Sequence, residues 1–307
     1  MRAALSAFLV SALLLGALHC AGTEAPAPSP AHRFACTDYT QGKVFVFSAE
    51  GRVEWNYPAV HCNDLAVLPN GNLLFNDGHT VKEVTRARKV VFEYTSASEI
   101  YACQRLADGN TFVGECNAGR LLEVSPTGAI VKEVRLLPAG TDGGSAYMRN
   151  ARKLDNGHYL VAHYGAGVVR EYDAAGKLLQ EIAAPGGPHS VERLPNGHTL
   201  FSCGDRNRQQ GIFEVDASGR MLWAVRDGEL AGVSLKFVAG FQRLPNGNTL
   251  VANWLGHDQY GKAPHLIEIT PDKKVAWTYA DSSTVRTISN VRLLDDSAPA
   301  TNNPLTP

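Results

Sequence analysis

One short motif recurs along this chain and limits what the chain can fold into. In its clearest copy a leucine leads into Pro-Asn-Gly and a second apolar run follows, as in Leu194-Pro-Asn-Gly-His-Thr-Leu200. Proline presets the backbone angle φ, and Asn-Gly accepts the positive φ that tight turns between antiparallel strands require. The motif therefore predicts a β-hairpin, and its turn glycines are Gly71, Gly109, Gly157, Gly197 and Gly247.

The spacing of these hairpins indicates a repeat architecture. The turn glycines follow one another at intervals of 38, 48, 40 and 50 residues. Between hairpins come an apolar strand with one acidic residue, such as Ile212-Phe-Glu-Val215, a glycine turn, and a strand that often ends in an aromatic residue. Repeats of about 40 residues built from short strands are typical of β-propeller blades.

We therefore predict an all-β, six-bladed β-propeller of four-stranded blades. The first block lacks the first strand of the hairpin, and Thr287–Leu294 has the pattern of that missing strand, so the C-terminal strand should close the first blade. Ring closure removes the free strand edges of a linear array. A β-solenoid is the alternative, but it needs shorter turns and capping ends. The predicted blades are 33–58 plus 287–296, 59–97, 98–147, 148–186, 187–236 and 237–286.

The ends of the chain predict export to the periplasm or secretion. Residues 1–21 have the pattern of a signal peptide, with Arg2 before an apolar stretch that is too short to span a bilayer. Cys20 allows a lipoprotein, although His19 is a poor fit to the small residue expected before it. Residues 22–32 and 297–307 are rich in Pro and Ala or Asn, and we expect both segments to be disordered.

Charge and cysteine content exclude two function classes. The formal net charge of −1 gives no indication of a basic surface that would bind nucleic acid. We also expect the protein to be a monomer and to have no transmembrane span. The spacing of cysteine and histidine does not match a zinc site. Export permits disulfides, and Cys103 and Cys116 flank one hairpin, but burial as free thiols is an equal alternative. The disulfide state of Cys36, Cys62, Cys103, Cys116 and Cys203 stays open at this point.

The propeller geometry predicts where a site would lie. In each blade the first strand lines the central channel and the second strand returns. Residues before the first strand and after the second therefore meet on one face, called the top face below, where loops carry ligand sites. Counting back five residues from the leucine before each turn gives Asn63, Tyr101, Arg149, His189 and Ala239, with Ile288 from the closing strand. Counting forward six from each turn glycine gives Asp77, Glu115, His163, Cys203 and Asn253.

These residue types suggest an anion site with an imidazole. His189 would act as nucleophile or general base and His61 as its acid–base partner, while Arg149 and Arg206 would hold the anion. Asp64 and Glu115 could instead balance the arginine charges. Trp254 and Tyr164 suit stacking on an aromatic or sugar ring. The predicted ligand-binding set is Asn63, Tyr101, Gln104, Glu115, Asn150, Arg152, His163, Tyr164, Asn253, Trp254 and His257.

A metal site is a less favoured interpretation of the polar residues at the top face. Carboxylate and amide oxygens suit Ca²⁺ better than Zn²⁺. The residues concerned are Asp38, Asp77, Glu115 and Asn253. The cofactor content is left open, with calcium as a candidate.

The repeated hairpins resemble a known group of bacterial six-bladed propellers. Leu-Pro-Asn-Gly-Asn-Thr-Leu followed by Gly-x-x-x-Trp is similar to arylsulfotransferase-related propellers and to PQQ-binding-like repeat proteins, over about residues 33–296. The resemblance implies sulfuryl transfer through a channel histidine. His61 is similar to a family histidine before such a hairpin, and His189 with Arg206 is similar to a His–Arg pair. Six blades count against PQQ, and the family's extra N-terminal domain is not found here.

The resulting hypothesis is a propeller with a small-molecule site at the top of its channel. It would carry out sulfuryl-type group transfer or elimination on an anionic aromatic or saccharide substrate. A transferase is favoured over a lyase or a lactonase, and six-bladed lactonases and lyases with channel Ca²⁺ would be compatible with the acidic ring. The alternative is a non-catalytic module that binds a glycan or a protein.

Overall fold

Within residues 32–294, which the computed structural model describes, twenty-four strands form six antiparallel sheets of four strands each. The predicted signal peptide (1–21), nearly all of the predicted linker (22–32) and the predicted tail (297–307) lie outside these residues. Among the described residues, none belongs to a helix with the length and apolar composition needed to cross a membrane.

The strands follow the chain blade by blade, and the bounds of each are as follows. Blade one contains β1 (Phe34–Asp38), β2 (Lys43–Phe47) and β3 (Val53–Pro58), and blade two contains β4 (Leu65–Val67), β5 (Leu73–Asp77), β6 (Thr80–Val84) and β7 (Val90–Thr95). Blade three contains β8 (Ile100–Arg105), β9 (Thr111–Glu115), β10 (Arg120–Val124) and β11 (Ile130–Arg135). Blade four contains β12 (Asn150–Lys153), β13 (Tyr159–His163), β14 (Val168–Tyr172) and β15 (Leu178–Ala183). Blade five contains β16 (Pro188–Arg193), β17 (Thr199–Cys203), β18 (Gly211–Val215) and β19 (Met221–Arg226), with a 3₁₀ turn at Arg206–Arg208. Blade six contains β20 (Val238–Arg243), β21 (Thr249–Asn253), β22 (Leu266–Ile269) and β23 (Val275–Tyr279), and the last strand of the described residues is β24 (Ile288–Leu293).

The C-terminal strand closes the ring. β24 pairs antiparallel with β1, with Phe34 opposite Leu293 and Cys36 opposite Val291, so the sheet order of blade one is β24-β1-β2-β3. The prediction of a six-bladed propeller with a first blade completed by the C-terminal strand is confirmed.

The repeated turn motif has a second role beyond reversing the chain. In blades two, four, five and six the residue after the turn glycine reaches the glutamate of the third strand in its own blade. In blade five, His198 Nδ1 lies 2.7 Å from Glu214 Oε1. The arginine that ends the first strand of the next blade binds the same carboxylate, since Arg243 Nη2 donates to Glu214 Oε2 at 2.7 Å. Glu214 therefore ties its own hairpin to the neighbouring blade.

The same three-part contact recurs around the propeller. Glu83 binds Asn72 and Arg105, and Glu171 binds His158 and Arg193. Between blades six and one, His32 Nε2 lies 2.7 Å from Glu268 Oε2. These polar ties sit near the hairpin face, opposite the top face.

The cysteines are part of the apolar packing between blades. Cys36, Cys62, Cys103, Cys116 and Cys203 are buried and free. Cys103 packs in the core between blades two and three, whereas Cys116 packs with Tyr101 and Met148 between blades three and four. Because the two thiols belong to opposite faces of one blade, the structure shows the buried-thiol alternative and no Cys103–Cys116 disulfide.

Candidate functional site

A cavity of about 270 Å³ lies at the top face of the channel. Five of the six blades, or the loops that lead into them, contribute to its wall. None of the lining residues is acidic. They are Tyr39, Asn63, Arg149, Tyr164, His189, Phe237, Ala239, Trp254, His257 and Ser289. The counted positions before the first strands therefore converge on this cavity in blades two, four, five and six.

Arg149 supplies the positive charge of the cavity. It directly precedes β12, and its guanidinium carbon lies 4.7 Å from the ring centroid of Tyr101 and 5.4 Å from that of Tyr164. Its Nε is buried without a hydrogen-bond partner, and no carboxylate within residues 32–294 forms an ion pair with it. A guanidinium held by aromatic faces and free of a counter-ion is suited to an anionic ligand.

His189 is the second polar group of the wall. It lies in β16 with only 5% of its surface exposed, and its Nδ1 is buried without a hydrogen-bond partner. The ring meets that of Phe237 edge to face at 5.2 Å. Burial, and next the charge of Arg149, lower the pKa of His189 to about 3, while the Ala239 carbonyl acts in the opposite direction. His189 is therefore uncharged around neutral pH.

Aromatic rings form the remaining wall. Phe237 stacks against Tyr164 at 6.3 Å with an interplanar angle of 17°, and Trp254 meets it edge to face at 5.2 Å. Tyr39 meets Trp254 at 6.3 Å on the other side. Offset and edge-to-face pairs of this kind fix ring positions and leave faces for a further ring.

Three of these rings lie directly against glycine backbone. A Cβ would be 2.4 Å from Tyr164 at Gly187, 2.3 Å from Phe237 at Gly204 and 2.0 Å from Trp254 at Gly256. Real Cβ atoms do not approach this closely, so any side chain at these positions would push a ring out of place. The aromatic wall therefore depends on glycines that do not themselves line the cavity.

His257 and Asp205 form a pair at the rim. His257 Nδ1 lies 2.7 Å from Asp205 Oδ2, and the side chain of His257 is 62% exposed. The ring of His257 meets Trp254 edge to face at 4.9 Å. Because Asp205 belongs to blade five and His257 to blade six, the pair joins two loops above the cavity.

Two residues predicted to be catalytic stand outside the wall. His61 is exposed and stacks on Tyr39 at 5.2 Å, and it does not line the cavity. Arg206 is exposed in the 3₁₀ turn, where its Nη1 donates to the Tyr164 carbonyl at 3.4 Å. His61 and Arg206 were predicted to act with His189, and the structure places neither of them in the wall that contains His189.

Arg152 is engaged by a carboxylate deeper in the channel. Its Nη1 and Nη2 donate to the two carboxylate oxygens of Asp64 at 2.7 and 2.8 Å, and both side chains are buried. The backbone N–H of Cys103 also donates to Asp64 at 2.9 Å. Arg152 therefore forms a bidentate ion pair with Asp64, which balances its charge. Arg152 is consequently not an unpaired cation that could bind an anionic ligand.

Other predicted ligand residues serve internal contacts. Both ring nitrogens of His163 are occupied, by the Tyr147 carbonyl and the Tyr172 hydroxyl at 2.9 Å each. Burial lowers the pKa of His163 to about 4. Glu115 is buried between the Tyr94 hydroxyl at 2.9 Å and Arg120 Nε at 2.5 Å. These side chains hold blades together and do not face the cavity.

The predicted amides are used in the same way. Asn253 Oδ1 accepts from the backbone N–H of Lys236 at 2.7 Å, which fixes the segment that carries Phe237. Gln104 bonds the backbone of Lys153, and Asn150 Oδ1 accepts from the N–H of Val191 at 3.3 Å. Of the predicted amides only Asn63 lines the cavity.

The oxygen ring proposed for calcium is satisfied by protein groups. Asp38 accepts the backbone N–H groups of Gln41 and Arg286, and Asp77 pairs with Lys82 at 2.5 Å. Across the described part of the chain, no group of three or more His, Cys, Asp or Glu side chains is placed to hold a metal ion.

Three wall residues were absent from the sequence-based set. Phe237 and Ser289 lie two and one positions from Ala239 and Ile288, which the counting did identify, so a window wider by two residues would have found both. Tyr39 follows Asp38, which was named only for the candidate calcium ring.

Comparisons with known proteins bear on the fold. No family model and no curated protein matches this sequence. A protein of unknown function from Bacteroides caccae is similar over 86% of this chain and 98% of its own, with 28% identity and a TM-score of 0.76. Streptogramin B lyase matches with 14% identity and a TM-score of 0.56, covering 83% of this chain and 86% of the lyase.

Virginiamycin B lyase from Staphylococcus aureus is a further structural neighbour, with 14% identity, a TM-score of 0.53, and coverage of 82% of this chain and 86% of that one. At this identity the two lyases show the propeller fold alone. The resemblance to arylsulfotransferases is not confirmed by these comparisons.

Proposed function

We propose that the top-face cavity binds a small anion carrying an aromatic or sugar ring and transfers its sulfuryl group. One observation carries this proposal: an unpaired guanidinium and an uncharged imidazole share an aromatic cavity that no carboxylate lines. An anion entering this cavity meets no repulsion from the wall.

The charged and aromatic residues of the cavity wall explain how the anion would bind. The guanidinium of Arg149 presents a fork of donors that matches two oxygens of a sulfate. Its position between Tyr101 and Tyr164 limits the entropy lost when it binds. A ring attached to the sulfate would lie against Phe237 or Trp254, where apolar area is buried.

The proposed catalytic step uses Nε2 of the neutral His189 ring, since Nδ1 is buried. The imidazole lone pair attacks sulfur, an N–S bond forms, and the S–O bond to the ring breaks with its electron pair remaining on oxygen. Arg149 stabilises the charge on the sulfuryl oxygens. An acceptor hydroxyl then takes the sulfuryl group and restores the imidazole.

Because the pKa of His189 is lowered to about 3, its imidazole is unprotonated at neutral pH and can attack sulfur without first losing a proton. Elimination remains the second candidate function, because two of the structural neighbours are lyases.

The test uses the purified protein with 4-nitrophenyl sulfate as donor and phenol as acceptor. We expect 4-nitrophenol release that falls at least ~100-fold in His189→Asn, as loss of a nucleophile requires. His198→Asn is the matched control, since Asn72 and Asn248 occupy the equivalent place in other blades and bind the same glutamate position.

Binding is measured in parallel, with benzenesulfonate and the fluorescence of the wall tryptophan. Binding without turnover of the wild type would indicate a non-catalytic module. Turnover that survives His189→Asn would remove His189 from the mechanism.

A further inference from the structure

His257 at the rim of the cavity is held in place by a carboxylate and by two aromatic rings. Its Nδ1 is held by Asp205 Oδ2 at 2.7 Å, and its ring lies 4.9 Å from Trp254 and 6.3 Å from Phe237. The imidazole lines the same cavity as His189. The transfer step described above leaves a negative charge on the departing oxygen, and none of the groups assigned so far supplies a proton to it.

His257 and Asp258 form the centre of a tight turn above the cavity. Their φ values are 49° and 63°, and the N–H of Gln259 closes the turn by donating to the Gly256 carbonyl at 3.1 Å. The turn places the imidazole of His257 against the ring of Trp254.

Asp205, from blade five, binds His257, which belongs to blade six. It precedes the 3₁₀ turn of blade five, and it also contributes to the raised pKa of Tyr164, after burial. When a carboxylate accepts the Nδ1 proton of an imidazole, it fixes the ring and leaves Nε2 as the atom that exchanges a proton.

Resting on the proposed sulfuryl transfer, we propose that His257 is the second catalytic residue and that Asp205 positions it. In the first step Nε2–H of His257 gives its proton to the oxygen that leaves sulfur, so the ring compound departs as a neutral phenol and His257 becomes neutral. In the second step Nε2 takes the proton of the acceptor hydroxyl as its oxygen attacks the sulfuryl group on His189. The original protonation states of both histidines are restored.

This assignment replaces the predicted role of His61. His61 stacks on Tyr39 and does not line the cavity, whereas His257 does. His61 thus supports Tyr39, and the proton-transfer role falls to the histidine with a carboxylate partner.

The test is the dependence of single-turnover phenol release on the acidity of the leaving phenol. An acid catalyst matters most for a poor leaving group. We expect His257→Gln to slow release from phenyl sulfate by ~100-fold and release from 4-nitrophenyl sulfate by less than ~5-fold. Asp205→Asn should show the same pattern with a smaller loss, because it orients the ring without touching the substrate.

Asp272→Asn is the control for the loss of one exposed carboxylate, and it should leave all rates unchanged. Added imidazole should restore phenyl sulfate turnover in His257→Gly. Equal slowing of all esters in the His257 variants, or no slowing, would overturn the role of His257 while leaving that of His189 intact. Absence of turnover in the wild type would instead overturn the proposed transfer, and the role of His257 with it.

Discussion

Arg149 and His189 face one cavity, and the guanidinium adds to burial in holding the pKa of His189 at about 3. The site therefore contains one permanent positive charge beside an imidazole that is neutral until the solution is strongly acidic. An anion on Arg149 would cancel the repulsion between Arg149 and protonated His189. Anion binding and protonation of His189 are consequently coupled.

The coupling predicts proton uptake on binding. Since an anion raises the pKa of His189 from its low value, we expect no proton uptake with benzenesulfonate at pH 7 and increasing uptake as the pH falls towards 4. Affinity should rise over the same interval. Calorimetry in two buffers of different ionisation enthalpy measures both quantities.

The matched variants for this prediction are Arg149→Met and Arg52→Met. Removal of Arg149 should weaken benzenesulfonate binding by about 10- to 100-fold, the range of a charge-assisted hydrogen bond. Arg52 lies in an exposed pair with Glu50, and its removal should change nothing. Uptake that is independent of pH would contradict the coupling.

Gly204 should be as sensitive to substitution as a residue of the wall itself. In Gly204→Ala the new methyl group would lie 2.3 Å from the ring of Phe237. We expect a loss of about 1–3 kcal/mol in unfolding free energy from overpacking, together with weaker benzenesulfonate binding. Chemical denaturation and titration measure the two effects.

Adding Phe237→Leu to Gly204→Ala distinguishes the cause. The smaller side chain should recover much of the stability, and the affinity should stay low because the ring is gone. Equal and additive losses in the double variant would show that the two sites are independent.

The Arg152–Asp64 pair should be the most costly ion pair to break. Arg152→Met leaves the buried carboxylate of Asp64 without its cation, and we expect a loss of about 3–5 kcal/mol in the free energy of unfolding. The double variant Arg152→Met with Asp64→Asn should lose less than Arg152→Met alone, since no buried charge remains unpaired. A loss below ~1 kcal/mol in urea denaturation, as for a surface pair, would contradict this reading.

His163 should contribute to acid sensitivity. Its pKa is about 4 in the folded protein, below the ordinary value of 6.5, so the unfolded chain binds the proton first. The stabilisation is present above pH 6.5 and is lost as the pH falls towards 4, by roughly 3 kcal/mol. Unfolding free energies between pH 7 and 4 should fall less steeply in His163→Gln. Identical slopes for the two proteins would rule out this contribution.

Local sequence was sufficient for the blades because turn chemistry is local. Asn196-Gly197 favours a tight turn wherever it stands, and the apolar runs on either side favour strands buried on both faces of a sheet. The count from the turns back to the channel mouth led to Arg149 and His189 in the cavity wall, although it also gave Tyr101 and Ile288, which do not line the cavity. It could not tell Arg149 from Arg152, which lies three residues further along the same chain segment.

The difference between those two arginines arises from partners far away in sequence. Arg152 meets Asp64 across the channel, from a different blade, whereas Arg149 meets only aromatic faces and keeps its charge uncompensated. The same applies to His163 and His189: one has both ring nitrogens occupied, and the other has a buried nitrogen without a partner.

The sequence by itself determined the number of blades, the closure of the ring by the C-terminal strand and the face on which polar residues gather. These properties follow from backbone preferences and apolar periodicity within single repeats. The tertiary structure alone decided which charges are paired, which rings form a wall against Gly187, Gly204 and Gly256, and which histidines face the cavity. Pairing and burial depend on contacts between blades, and such contacts form only when the ring closes.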